Sequence, residues 1–248
     1  MSAGNDGFQL FPTTHWSLVV RAGQDASQTR RDALGELLQR YMGALRTFLI
    51  TRYRLSRDRA DDMVQGFILS RLVEKNLLGK ADADRGKFRN FLMTALERYA
   101  VDQFREASAQ KRQGDHNIID VQDQQNRLGA ATDNPAAAFD VSWASEVIRQ
   151  TIERMKQATE TTRPDLWGVF KDRVLGPAFD GAEPSSYAEL IGRLGFKDEG
   201  QAASALQTAK RIFSRLLRGI VAEYAMTASE VDEEVGELLS ALGGVGGR

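Results

Sequence analysis

The chain has no cysteine among its 248 residues, which excludes disulfides, thiolate zinc sites and cysteine nucleophiles. A reducing compartment is the simplest expectation, and the chain is read as cytoplasmic. It has only two histidines, His15 and His116, far apart in sequence and without partners at metal-ligand spacing, so neither a metal nor another cofactor is expected. Five prolines and the lack of alternating β-branched runs leave little room for strands. No uninterrupted apolar run approaches membrane-spanning length, and the opening MSAGNDGFQLF lacks a basic region followed by an apolar core, so membrane insertion and secretion are not expected. There is no nucleophile elbow and no glycine-rich phosphate loop, and no catalytic constellation emerges; the chain does not read as an enzyme.

What is present is helical periodicity. Leu34, Leu37, Leu38, Tyr41, Met42, Leu45, Phe48 and Leu49 form one apolar stripe. A second helix is expected from about Asp58 to Leu78 and a third from about Lys87 to Ala109, with Phe88, Phe91, Leu92, Leu96 and Tyr99 facing inward. Residues 113–140 turn polar and aperiodic and read as a linker. Periodicity resumes at Trp143, Val147, Ile148, Ile152 and Met155 and continues with Leu166, Trp167 and Phe170. SSYAELIGRLGF then reads as a short capped helix closed by Gly195, followed by a long helix from about Glu199 to Met226, the order of a helix-turn-helix. The expected fold is all-α: two helical bundles, 29–112 and 141–227, joined by the linker. They are flanked by an N-terminal extension, 1–28, and an acidic C-terminal extension, 228–248, ending in glycines.

The formal net charge of -1 shows no excess of either sign, but the charges are segregated. From Arg85 to Arg112 there are seven basic residues against three acids, and from Gln201 to Arg218 four basic residues and no acid. Acids concentrate in the linker and the tail. Such segregation determines where a polyanion can dock.

The stretch SRDRADDMVQGFILSRL places Asp58, Asp61, Asp62 and Gln65 within an arc of roughly 100° on one helix. Three readings fit. The acids are a solvated helix start favoured by the helix dipole; they bind magnesium, as the aspartate-rich helices of helical terpenoid synthases do, although a second carboxylate cluster is then needed; or they form a docking face for arginines of a partner.

Extended on both sides, DRADDMVQGFILSRLVEKN and DADRGKFRNFLMTALERYAVDQFREASAQKR resemble the second region of extracytoplasmic-function sigma factors. SYAELIGRLGF with the helix after it resembles that family's fourth region, and the likeness runs over about residues 30–225. FPTTHWSLV and EVDEEVGELLSAL resemble a subgroup with extended ends. The resemblance implies a sigma factor that binds core RNA polymerase and directs promoter recognition and opening. Its partners would be the β′ clamp coiled coil, the β flap and promoter DNA, with an anti-sigma protein or a regulatory kinase as further partners. It places the clamp contact on Asp61, Asp62 and Gln65, with Asp58 beside them. Many members carry an acid directly after the glutamine, where this chain has Gly66.

On the third helix Arg98, Arg105 and Arg112 recur every seven residues, as a solvated face or as a phosphate-binding stripe. The resemblance makes this the helix that melts the minus-ten element. Lys87, Arg89, Asn90, Thr94 and Arg98 are then expected nearest the unpaired strand, with Phe88 and Phe91 in the core. On the long helix Gln201, Ser204, Gln207, Thr208, Lys210, Arg211 and Arg215 are the expected DNA contacts. Ala203 and Thr208 stand where members often have a lysine and an arginine, which thins base readout while leaving phosphate anchoring. Two other functions are carried beside this one: a helix-turn-helix regulator that is not a sigma factor, and a magnesium-dependent helical enzyme. The acidic tail reads either as a solvated capping helix or as a competitor with DNA for the basic helices.

Overall fold

The computed structural model describes residues 17–23, 28–82, 86–113, 134–223 and 227–243, and no strand occurs among them. Among the described residues there are nine α-helices: α1 (Ser17–Gly23), α2 (Gln28–Tyr53), α3 (Arg57–Phe67), α4 (Phe88–Gln113), α5 (Pro135–Thr159), α6 (Pro164–Phe170), α7 (Tyr187–Leu194), α8 (Glu199–Ala222) and α9 (Ala228–Gly243). Among the described residues no helix is long and apolar enough to cross a membrane.

The first three expected helices form where the apolar spacing put them. The second is not uniform: after α3 the backbone widens into π-helical turns over Ile68–Glu74 and ends in a 3₁₀ turn, Leu77–Lys80, entered through Asn76 at φ 44°. Ser70 Oγ donates to the Gly66 carbonyl at 2.8 Å, near the start of the widened stretch. α6 likewise runs on into π-helical turns over Lys171–Asp180, with Pro177 inside them.

Residues 135–140, assigned by composition to the linker, are instead the first turns of α5. The signal is local. Asn134 caps the helix by accepting from the amides of Ala136 and Ala137, and Pro135 occupies the first helical position, where a missing N–H costs nothing. Residues 114–133 lie outside the described residues.

Two apolar clusters hold the molecule together. The first gathers Leu37, Tyr41, Leu45 and Leu49 of α2, Val64 and Phe67 of α3, and Phe88, Leu92 and Leu96 of α4. It is completed by Phe139, Trp143, Ala144 and Val147 of α5, Leu217, Ile220 and Val221 of α8, and Val231 and Leu238 of α9. The second comprises Met155 of α5, Leu166, Val169 and Phe170 of α6, Leu190 of α7, Phe196, and Ala202, Ala205, Leu206 and Ala209 of α8. Thus α5 and α8 each begin in one cluster and end in the other. The tail helix α9 is part of the first cluster, with Leu238 fully buried, rather than a solvated end.

A buried ionic group reinforces the seam between α2, α5 and the end of α8. Arg40 is 1% exposed. It donates from Nη2 to Glu36 at 2.7 Å and from Nε to Gln150 Oε1 at 3.1 Å, and it pairs with Glu223. Arg154 meets the same two acids, Glu223 at 3.2 Å and Glu36 at 3.6 Å. Burying a guanidinium is costly even when it is paired, and here Arg40 Nη1 is buried without a hydrogen-bond partner, so the group fixes the position of α5 on α2 while contributing little net stability.

Candidate functional site

Ser56 starts α3, its hydroxyl accepting from the Arg59 amide at 3.4 Å. Ala60, Val64 and Phe67 turn inward, which puts Asp58, Asp62 and Gln65 on the opposite, exposed side. Asp61 does not join them. It is half-buried and pairs with Arg46 Nε of α2, so its charge is already matched within the fold and the proposed four-residue face reduces to three. Periodicity alone could not show this, because Asp61 lies roughly 100° from Asp62 and an arginine on α2 happens to face it.

The same exposed line continues past Gln65 into Leu69, 58% exposed, and Val73, 42% exposed. The sign that they face outward is their spacing from Gln65, in a helix whose inner positions are already filled by Phe67 and Leu72.

Gly66, which follows Gln65 on α3, has a packing explanation. It faces α4, and a Cβ built there would meet the hydroxyl of Tyr99 at 2.5 Å, with the next ring atom at 3.5 Å. Tyr99 cannot easily yield, being 8% exposed, against Phe67 with ring centroids 5.8 Å apart and under the Arg71 guanidinium at 5.6 Å. Gly66→Ala is therefore expected to lose about 1 kcal/mol, overpacking outweighing the helix-propensity gain of about 1 kcal/mol for alanine over glycine. In a Tyr99→Phe background, which removes the clashing oxygen, the same substitution is expected to stabilise. Urea unfolding of the four proteins measures the change of sign.

On α4, Asn90, Thr94, Arg98 and Arg105 are all exposed and share one side of the helix, within an arc of roughly 80°. The acids bordering this side are engaged: Glu97 with Arg52 of α2 at 3.3 Å and Asp102 with Arg71 at 2.8 Å. Among the described residues, Arg98 and Arg105 are left as the exposed cations of the stripe. The side chain of Arg112 lies outside the described residues, as do residues 83–85. Phe88 is buried and Phe91 half-buried, stacked at 6.0 Å, in keeping with their expected core role.

Lys87 and Arg89 are placed otherwise than expected. Arg89 is 7% exposed, its guanidinium 5.1 Å from the Trp143 ring centroid. It pairs with Glu234 and Glu237 of α9, and its Nε lies 3.2 Å from Asp140 of α5. Lys87 Nζ lies 2.6 Å from Glu237 and 3.1 Å from Glu234. Arg89 is buried, and Lys87, though partly exposed, is held by two carboxylates rather than left open as a strand contact. The acids that claim them come from segments read as linker and tail, so charge counting within the α4 region missed them. Burial would depress Lys87, but Glu237 and Glu234 raise it above the ordinary lysine value. Burial likewise pushes the Glu237 carboxyl up, and hydrogen bonds from Lys87 and Arg89 outweigh it and hold the group below its usual range. Asp140 is raised, chiefly by burial, against the pull of Arg89.

In the second cluster, Ser186 and Glu189 cap α7 reciprocally, each side chain meeting the other's backbone amide. Gly195 ends α7 at φ 74°, a left-handed conformation that glycine adopts without strain. Asp198 caps α8 by accepting from the Gln201 amide at 2.7 Å. Along α8, alanines face inward and Gln201, Ser204, Thr208, Arg211 and Arg215 share one exposed side; Gln207 and Lys210 are exposed but lie off that line. Two of the polar groups are partly committed: Gln201 Oε1 accepts from the Lys197 amide at 2.6 Å, and Thr208 Oγ1 donates to the Ser204 carbonyl at 3.0 Å.

Among the described residues no group of three or more histidine, aspartate or glutamate side chains is arranged to hold a metal ion. His15 and His116 lie outside the described residues. No known protein family, characterised protein or solved structure matches this chain.

Proposed function

We propose that this chain is a sigma factor of the extracytoplasmic-function type, binding core RNA polymerase through α3 and promoter DNA through α4 and α8. The observation that carries the reading is the pair of exposed stripes on neighbouring helices. Asp58, Asp62 and Gln65 offer carboxylates and an amide to a basic partner helix, and Arg98 and Arg105, with Asn90 and Thr94, offer cations and hydrogen bonds to a nucleic-acid strand. Opposite charge preferences on adjacent helices suit a factor that holds protein and polyanion together. The capped α7, the left-handed Gly195 and the basic exposed side of α8 support a helix-turn-helix in which α8 meets upstream duplex. Its contact set is Gln201, Ser204, Thr208, Arg211 and Arg215, and phosphate anchoring dominates because two of those groups are committed locally.

The second reading, a helix-turn-helix regulator without polymerase binding, is favoured only by that same α7–α8 arrangement. Run-off transcription with purified core polymerase on a library of genomic fragments separates the two. Discrete transcripts that depend on this chain support a sigma factor. Promoter-independent DNA binding, with no transcript and no affinity for core polymerase, rejects it in favour of the regulator.

A further inference from the structure

We infer that α9 is a built-in competitor for the DNA strand, its Glu234 and Glu237 occupying the cations Lys87 and Arg89 at the head of α4. This rests on the proposed role of α4 in strand binding. The observation beneath it is independent of any likeness to other proteins: two cations that open the most basic part of the chain are capped by carboxylates arriving from almost 150 residues away.

The position of Glu234 is the informative detail. Helix α9 rests its inner stripe on α5 and α8 through Val231 and Leu238, with Val235 partly buried beside them. Glu234 lies on that inner side and is 6% exposed. A carboxylate in an apolar stripe weakens docking unless a cation meets it there, and an apolar residue would hold α9 down without condition. With glutamate at 234, the seating of α9 depends on Arg89 and Lys87 remaining available. If a phosphate takes either cation, Glu234 is left buried and undermatched, which favours release of the helix. Conversely, a seated α9 surrounds the two cations with Asp140, Glu234 and Glu237, a local excess of negative charge that repels a strand. The two occupants exclude each other, and the coupling is reciprocal: whatever weakens one must strengthen the other. Arg98 and Arg105 are exposed further along α4 and are placed to make first contact.

The test uses the full-length chain and a fluorescent single-stranded oligonucleotide of mixed sequence at low salt. Glu234→Gln with Glu237→Gln removes both competing charges while keeping size. It is expected to raise affinity about tenfold, the range typical of coupled sites. Asp232→Asn, which removes another α9 charge and breaks its exposed pair with Arg218 of α8, is expected to leave affinity unchanged. Equal binding by wild type and the double variant overturns the inference, and so does an equal gain from Asp232→Asn, which would reduce the effect to net charge. Should the double variant fail to fold, hydrogen exchange on the wild type decides: oligonucleotide binding must lower protection in residues 228–243, and unchanged protection overturns the lock. Run-off transcription keeps the two claims apart. A chain that supports transcription without any gain in the double variant loses the lock alone, whereas a chain with no transcription and no strand binding loses both.

Discussion

Reversing charge at Asp58 and Asp62 together is expected to lower affinity for core RNA polymerase by about a hundredfold, with a matching loss of run-off transcript, because desolvated charge pairs across an interface are worth about 2–5 kcal/mol when broken. Both side chains are exposed, so the fold itself should change by no more than about 0.5 kcal/mol, and thermal unfolding of the variant checks that the loss lies in binding. Asp61→Arg is expected to behave differently. It opposes Arg46, so its first effect falls on the packing of α3 against α2 and appears as reduced stability. Unchanged polymerase affinity in the Asp58 and Asp62 double variant, measured by fluorescence anisotropy with labelled chain, removes α3 as the docking face.

Trp143→Ala carries the largest expected cost to stability, about 3–5 kcal/mol in urea unfolding. The indole is 1% exposed in the first cluster, where α5 meets α2, and its ring lies against the Arg89 guanidinium. Truncation opens a cavity and also removes the surface on which a nearly buried cation rests. With ordinary domains stable by about 5–15 kcal/mol, such a loss is a large part of the total. A loss below about 1 kcal/mol would mean that α5 is not seated as described.

Helical class, the inward stripes of α2, α4 and α5, and the capped α7 were legible in the sequence because each is set by spacing within one segment or by a local cap. Leu45 and Leu49 belong to the core whatever packs on them, and Ser186 can be read with Glu189 alone. What escaped depends on distant partners. Nothing near Asp61 announces Arg46, nothing near Arg89 announces Glu234, and nothing near Gly66 announces the Tyr99 hydroxyl. The early start of α5 is a different case: Asn134 followed by Pro135 is a local start signal, outweighed in the reading by the polar composition before it. For the candidate site, the shared faces of Asp58, Asp62 and Gln65 and of Arg98 and Arg105 followed from periodicity, whereas their exposure among the described residues could come only from the fold.

The passage of α5 and α8 through both apolar clusters also bears on how the protein comes apart. Neither cluster is complete without a helix that the other also needs, so melting one strips support from its neighbour, and unfolding is expected to be a single cooperative transition. For the same reason a cut in the segment between α4 and α5 would not release two self-sufficient halves. It would part Tyr41 and Phe88 from Phe139 and Trp143, leaving two sticky fragments whose stable state is reassociation with each other.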